Sequence, residues 1–130
     1  MTQAEKVQYW IDIADYDLET AEAMYKTGRW LYVAFMCHQV IEKTLKAYWC
    51  KTQPADPPYT HNLILLAEQS GLADAMNDEQ NLFIARIMPM NIAARYPSYK
   101  EQLSKRVNKF ACRAIIDTTK DLQSWIKNKL

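Results

Sequence analysis

Residues 30–51, with the sequence WLYVAFMCHQVIEKTLKAYWCK, decide the fold of this chain. On a helical wheel their apolar residues cover an arc of roughly 220°, much wider than the stripe of a helix that lies on a protein surface. A helix this apolar must be contacted on several sides, so it is predicted to be the central helix of the protein. Its narrow polar arc carries Gln39, Glu42, Lys43 and Lys46.

The chain on either side of this segment is also predicted to be helical. Residues 4–27 carry an apolar stripe at helical spacing, and Gly28 suits the position that follows a helix. The segment 53–60 is predicted to be a loop, because its three prolines remove amide donors and disfavour helix in the residues before them. Thr60 is placed to cap a short third helix.

Two further helices are predicted beyond that loop. Asn77 and Gln80 have the spacing of a capping box for a helix over residues 78–88, which Pro89 would end. Asn108 is placed to cap the last helix. The predicted core stripe of the last helix consists of Phe110, Ala114, Ile115, Thr118, Leu122, Trp125 and Ile126. Four to five helices with short links predict an all-α fold, an up-and-down antiparallel bundle formed by the whole chain as one domain.

Composition excludes several classes of protein. Hydrophobic residues make up 49% and charged residues 24% of the 130 residues, so intrinsic disorder is not expected. The longest apolar run, residues 30–37, is shorter than the about 18 residues that a membrane span needs. The net charge of +1 indicates no global attraction to nucleic acid or membranes. The three cysteines lack metal-ligand spacing, so we expect reduced thiols in a cytoplasmic protein, with no metal and no cofactor.

Three titratable side chains stand out on the wheels. Asp17 falls inside the apolar stripe of the first helix, where an unpaired carboxylate is costly; an ion pair with Lys43, or otherwise with Arg95, is expected, and a role in a site is the alternative. His38 falls among apolar residues and is more typical of a core histidine than of a catalytic one. His61 opens the third helix and suits a cap or a loop tether.

The last third of the chain adds two candidate anion sites. Arg95 and Tyr96 follow each other in a stretch without clear periodicity, which suits recognition of a phosphate or a planar group; the alternative is an arginine that pins a loop. From residue 100 onward the sequence contains eight basic and three acidic residues. Four basic residues form one stripe of the last helix, which is either a solvated face or an anion-attracting one: Lys109, Arg113, Lys120 and Lys127.

Several motifs occur in an order that resembles the HEPN domain family, the "higher eukaryotes and prokaryotes nucleotide-binding" domains. The first is Ala14-x-x-Asp17-Leu18-x-x-Ala21. The second, Gln39-x-x-Glu42-Lys43-x-Leu45-Lys46-Ala47, is close to a family signature. Then follow Thr60-His61-Asn62-Leu63, Ala94-Arg95-Tyr96-Pro97 and Trp125-Ile126. The resemblance is strongest to single-domain prokaryotic members and spans nearly the whole chain.

This resemblance implies a helical bundle that commonly forms a homodimer. Many relatives are encoded beside a minimal nucleotidyltransferase, and some of these pairs are toxin–antitoxin modules. Four tryptophans and a wide apolar arc also favour a homodimer, with Trp30 and Phe35 as the exposed aromatic residues expected at its interface. The candidate residues for binding a nucleotide or RNA are Asp17, Gln39, Lys43, Lys46, His61, Arg95 and Tyr96.

Other members of the superfamily are metal-independent RNases, in which an arginine is followed after four to six residues by a histidine. Here no histidine follows Arg95, and eight residues separate Arg29 from His38. The sequence therefore favours a non-catalytic nucleotide- or RNA-binding and protein-interaction module. The alternative is an RNase with a degenerate site that uses His38 or His61 as its base.

Overall fold

The computed structural model describes residues 1–93 and 107–130, which are mainly helical and contain no strand. The all-α bundle predicted from the sequence is confirmed. Its elements are α1 (Gln3–Lys26), α2 (Trp30–Thr52), α3 (Leu63–Gln69), a 3₁₀ turn (Leu72–Ala75), α4 (Asp78–Ile87), α5 (Met90–Ala93) and α6 (Lys109–Lys127).

The helix α2 lies at the centre, as predicted. It contacts α1, α3, α4, α5 and α6, and its apolar residues form the middle of the core. The surrounding helices also cover most of its polar arc, so that Gln39, Glu42 and Lys46 are buried. The centre of the bundle therefore contains charged groups as well as apolar ones, and each of those charges needs a partner.

Local signals set most of the helix ends. Gly28, just after α1, has a φ of +72°, a left-handed conformation that favours glycine. The capping box of Asn77 and Gln80 at the start of α4 is confirmed, as is the Asn108 cap of α6. The prediction that Thr60 caps α3 is wrong, because the side chain of Asn62 accepts the hydrogen bond from the Leu65 amide at 3.0 Å.

The predicted core stripe of α6 is confirmed at Leu122 and Ile126, which are buried, and Ile115 and Trp125 pack against the core. The rest of the stripe differs from the structure. Phe110 is 89% exposed, and Ala114 and Thr118 are also exposed. The buried residues of α6 are Cys112, Ile116, Thr119, Leu122, Gln123 and Ile126. The helix is therefore rotated relative to the prediction, which brings part of its basic stripe towards α1.

Ion pairs connect α1 and α6 on this side of the bundle. On Glu22 of α1, Oε1 lies 3.1 Å from Arg113 Nη2 and 2.6 Å from Lys120 Nζ. Asp15 Oδ1 lies 2.7 Å from Lys127 Nζ. Three of the four residues of the predicted basic stripe thus pair with carboxylates of α1 instead of presenting a free anion-attracting face.

The aromatic residues expected at a dimer interface are less exposed than the sequence indicated. Trp30 is half-buried and packs edge-to-face on Tyr25, with ring centroids 5.5 Å apart. Phe35 is also half-buried. Trp30 packs against the core and both residues are only partly exposed, so the prediction that they are exposed is wrong.

The ion pairs of Glu22 predict a pH-dependent contribution to stability. Hydrogen bonds from Arg113 and Lys120 lower the pKa of Glu22 to about 2, against partial burial. A carboxyl group with a lowered pKa stabilises the fold at pH values above its ordinary pKa. This contribution is lost as the pH falls towards 2. Because the partners are partly exposed, we expect Glu22→Gln to lower the free energy of unfolding by about 1 kcal/mol at neutral pH in urea titrations.

The difference between wild type and Glu22→Gln should shrink as the pH falls from 4.5 to 2. The exposed Glu19 of the same helix provides the control, and Glu19→Gln should behave as wild type. A loss that is equal at neutral and at acid pH would show that the pairing of this carboxylate does not stabilise the contact between α1 and α6.

Candidate functional site

The carboxylate of Glu42, in the middle of α2, is fully buried. Its Oε2 accepts hydrogen bonds from Lys43 Nζ at 2.9 Å and from Lys46 Nζ at 3.2 Å. Its Oε1 lies 2.8 Å from Nδ1 of His61. Both oxygens are thus partnered, and one carboxylate holds two ammonium groups and an imidazole together.

Two elements bring these groups to the carboxylate. Lys46 lies one helical turn after Glu42 on α2, and Lys43 follows Glu42 directly. His61 belongs to the loop before α3 and directly precedes Asn62, whose side chain caps that helix. The cap fixes the chain next to His61, so the imidazole is held at a defined place beside α2.

The electrostatics favour an ionised carboxylate in the centre of the bundle. Burial alone would raise the pKa of Glu42, but hydrogen bonds from Lys43 and His61 and the charges of both lysines outweigh it, so the pKa lies below its ordinary value of 4.5. The two ammonium groups exceed the carboxylate of Glu42 in charge by one. Asp17, which interacts electrostatically with Lys43, offsets part of this excess.

Two aromatic rings border the lysines. The ring of Trp10, from α1, lies 5.3 Å from Lys46 Nζ and 5.8 Å from Lys43 Nζ. The ring of Tyr59, from the proline-rich loop, lies 6.0 Å from Lys46 Nζ and is fully exposed. The ammonium groups thus lie among a carboxylate and two π-faces, an arrangement that holds cations in place. We refer to Trp10, Glu42, Lys43, Lys46, Tyr59 and His61 as the Glu42 cluster.

A second, neutral group of polar side chains adjoins this cluster. His38 is fully buried, and burial lowers its pKa to about 4, against the charge of Glu42. The Nε2 atom of Gln39 donates to Asn91 Oδ1 at 3.3 Å and lies 3.4 Å from His38 Nδ1. These contacts tie α2 to α5. The prediction that His38 is a core histidine is confirmed.

The predicted site residues meet in part. Gln39, Lys43, Lys46 and His61 converge on or beside the Glu42 cluster, whereas Arg95 and Tyr96 lie outside the described residues. Asp17 is half-buried, and burial raises its pKa against the opposing charge of Lys43.

The predicted ion pair between Asp17 and Lys43 is wrong. Within the described part of the chain the Lys43 ammonium pairs with Glu42, which directly precedes it and is more deeply buried. The alternative partner for Asp17, Arg95, cannot be placed from the described residues. Asp17 is therefore a neighbour of the Glu42 cluster and does not hold it together.

Three members of the cluster are not among the predicted site residues: Trp10, Glu42 and Tyr59. For Glu42 the available signal was a carboxylate beside two lysines on a helix that must be surrounded. Tyr59 follows Pro57 and Pro58, a pattern that predicts only a loop. Across residues 1–93 and 107–130 there is no group of three or more histidine, cysteine or carboxylate side chains that could hold a metal ion.

Within residues 1–93 and 107–130, no helix is both long and apolar enough to cross a bilayer.

Comparisons with known proteins give a family from the sequence and a similar fold from a solved structure. The family model of the HEPN domain matches residues 7–129. The structure is similar to the crystal structure of TT1696 from Thermus thermophilus, with a TM-score of 0.82 and 15% sequence identity over 96% of this chain and 98% of that chain. At that identity the likeness shows the fold alone. None of the curated proteins matches the sequence.

The geometry of the Glu42 cluster predicts a large loss of stability when the carboxylate is removed. Glu42→Ala leaves the buried Lys46 ammonium without its carboxylate, so we expect the free energy of unfolding to fall by about 3–5 kcal/mol. Chemical unfolding followed by far-UV circular dichroism measures this difference. The matched control is Asp12→Ala on α1, an exposed carboxylate whose removal should cost about 0.5 kcal/mol or less. Equal losses for the two variants would contradict the central position of Glu42.

Proposed function

Because the chain belongs to the HEPN domain family, whose members bind nucleotides or RNA or act as RNases, we propose that it is a non-catalytic binding module. It binds the phosphate groups of a nucleotide or RNA at the Glu42 cluster. It does so as a homodimer that works with a minimal nucleotidyltransferase partner.

One observation carries the proposed binding site: two lysines share a single carboxylate oxygen next to a solvent-accessible histidine. The side chain of Lys43 is 18% exposed and that of His61 is 42% exposed, so both are open to a ligand at the surface. The side chain of Lys46 is more deeply buried than that of Lys43 and adds its positive charge from the interior of the bundle. The Lys43 ammonium pairs with Glu42 and makes no ion pair with the nearby Asp17, so it keeps N–H donors for a phosphate.

The absence of the family's RNase motif from the sequence supports a role without catalysis. The chain has two histidines, and neither follows an arginine after four to six residues. His38 is fully buried and out of reach of a ligand. Cleavage of RNA without a metal requires a base that can reach the 2′-hydroxyl, and the expected one is missing.

A metal-independent RNase is the second candidate, and one contact favours it. Glu42 Oε1 lies 2.8 Å from His61 Nδ1, and Nε2 of that ring has no partner among the described residues. A carboxylate that orients an imidazole in this way is the arrangement of a general base. In that case His61 would take the proton of the 2′-hydroxyl, O2′ would attack phosphorus, and the P–O5′ bond would break as the leaving oxygen gained a proton from solvent.

Family membership supports the proposed assembly. Homodimers are common in the family, and so are partners of the nucleotidyltransferase type, some of them in cytoplasmic toxin–antitoxin pairs. Sedimentation equilibrium at tens of micromolar should give twice the chain mass of 15.2 kDa. Co-expression with a minimal nucleotidyltransferase, where the neighbouring reading frame encodes one, followed by co-purification, tests the partner. A monomer that co-purifies with nothing would contradict this part of the proposal.

The binding site predicts that Lys43→Ala weakens the binding of a fluorescently labelled RNA about tenfold, since a charge-assisted hydrogen bond to phosphate is lost. Fluorescence anisotropy measures the dissociation constant. The magnitude of the slope of log K against log salt should also fall by about 1. The matched control is Lys51→Ala at the exposed end of α2, which removes the same charge from the same helix. Equal affinity of the two variants would overturn the assignment of the site.

The same protein should leave RNA intact in the presence of a chelator, because the family's catalytic pair is absent. Gel electrophoresis of structured and unstructured RNA after incubation measures cleavage. If wild type cleaves RNA and His61→Ala does not, the protein is an RNase and not a non-catalytic binding module. Cleavage that survives in His61→Ala would point to a contaminant and leave the binding module in place.

A further inference from the structure

We propose that the ligand of the Glu42 cluster is an unpaired nucleotide, whose base stacks on the ring of Tyr59 while its phosphate binds at Lys43 and His61. This inference rests on the proposed function, because it names the part of the ligand that lies beyond the phosphate. It adds Tyr59 to the binding site as the residue that selects unpaired over paired nucleic acid.

The exposure of Tyr59 is the first argument. Its relative exposure is 103%, whereas the other exposed tyrosines lie at 48% (Tyr9), 70% (Tyr16) and 40% (Tyr32). A single exposed aromatic ring is common on protein surfaces. What distinguishes Tyr59 is its position, 6.0 Å from the ammonium of Lys46 and two residues before His61. The ring therefore lies beside the positive cluster with its surface free for contact.

The loop that carries Tyr59 is fastened at several points. Pro57 and Pro58 restrict the backbone immediately before it. The indole of Trp49 donates to the carbonyl of Ala55 at 3.0 Å. Lys6 of α1 lies 2.7 Å from Asp56. A ring presented by a fastened loop loses little conformational entropy when a ligand stacks on it, which favours binding.

The combination of a cationic cluster and a free aromatic ring selects the chemical class of the ligand. Inorganic phosphate or an acidic peptide would use Lys43 and His61 but would leave the Tyr59 ring exposed. In a duplex the faces of the bases are covered by their neighbours, so a protein ring has no face to stack on. Only an unpaired nucleotide offers a phosphate and a free base face together, and stacking of bases on exposed aromatic rings is the usual mode of single-strand binding.

The inference is tested with Tyr59→Ala, Tyr59→Phe and a short single-stranded RNA in the anisotropy assay. Stacking is worth about 1–3 kcal/mol per base, so Tyr59→Ala should weaken binding about tenfold. Tyr59→Phe should bind like wild type, because stacking needs the ring and not the hydroxyl. Tyr16→Ala is the matched control, since it removes an exposed tyrosine on the solvent face of α1. Tyr59 is fully exposed, so its variants should keep the fold, which circular dichroism verifies.

A strand that is abasic at every position provides the second arm, because it keeps the phosphates and lacks the bases. Wild type should bind it as weakly as Tyr59→Ala binds the intact strand, and a blunt duplex should bind equally weakly. Competition by 5′-AMP shows whether the site binds a free nucleotide as well as a nucleotide within a strand. Binding of either ligand supports the inference if Tyr59→Ala weakens it.

Two results would overturn the inference. If Tyr59→Ala binds the strand as wild type does, or if the abasic strand binds as well as the intact one, Tyr59 does not stack on a base. In both cases binding that depends on Lys43 would leave the proposed function intact. If wild type binds no RNA or nucleotide at all, the proposed function fails together with the inference.

Discussion

A carboxylate can lie in the centre of a helical bundle only when cations and hydrogen-bond donors surround it. Glu42 meets this condition through Lys43, Lys46 and His61, which lie 2.9, 3.2 and 2.8 Å from its oxygens. Its burial follows from the central position of α2, and its need for partners brings the loop before α3 to the same place. The candidate binding site thus consists of the groups that neutralise a carboxylate buried in the core.

The same constraint links the core to the surface. One carboxylate holds two ammonium groups, and the partly exposed side chains of Lys43 and His61 present this cluster to the solvent. The proline-rich loop adds Tyr59 beside Lys46. In α6, Arg113, Lys120 and Lys127 are paired with carboxylates of α1. These pairs favour the Glu42 cluster over the basic stripe of α6 as the proposed place where an anion binds.

The sequence was sufficient for the fold and for part of the site. The apolar arc of α2 predicted the central helix, and the pattern of Asn77 and Gln80 predicted the start of α4, because both signals are local or periodic. The predicted face of α6 was right at Leu122 and Ile126 and wrong at Phe110. On its other side α6 pairs with Glu22, 91 residues before Arg113, a contact that the sequence does not show. Lys43 pairs with its neighbour Glu42 and not with Asp17, because a helical wheel does not show which of several carboxylates a cation will bind.

Lys43, Lys46 and His61 are expected to hold the buried carboxylate of Glu42 in its ionised form. Titration of the side-chain carboxyl carbon followed by ¹³C NMR measures its pKa, with the resonance assigned by its loss in Glu42→Gln. We expect a pKa below the ordinary value of 4.5, because the hydrogen bonds and charges of the three partners outweigh burial. A pKa above 4.5, which burial without effective partners would produce, would show that these partners do not keep the carboxylate ionised.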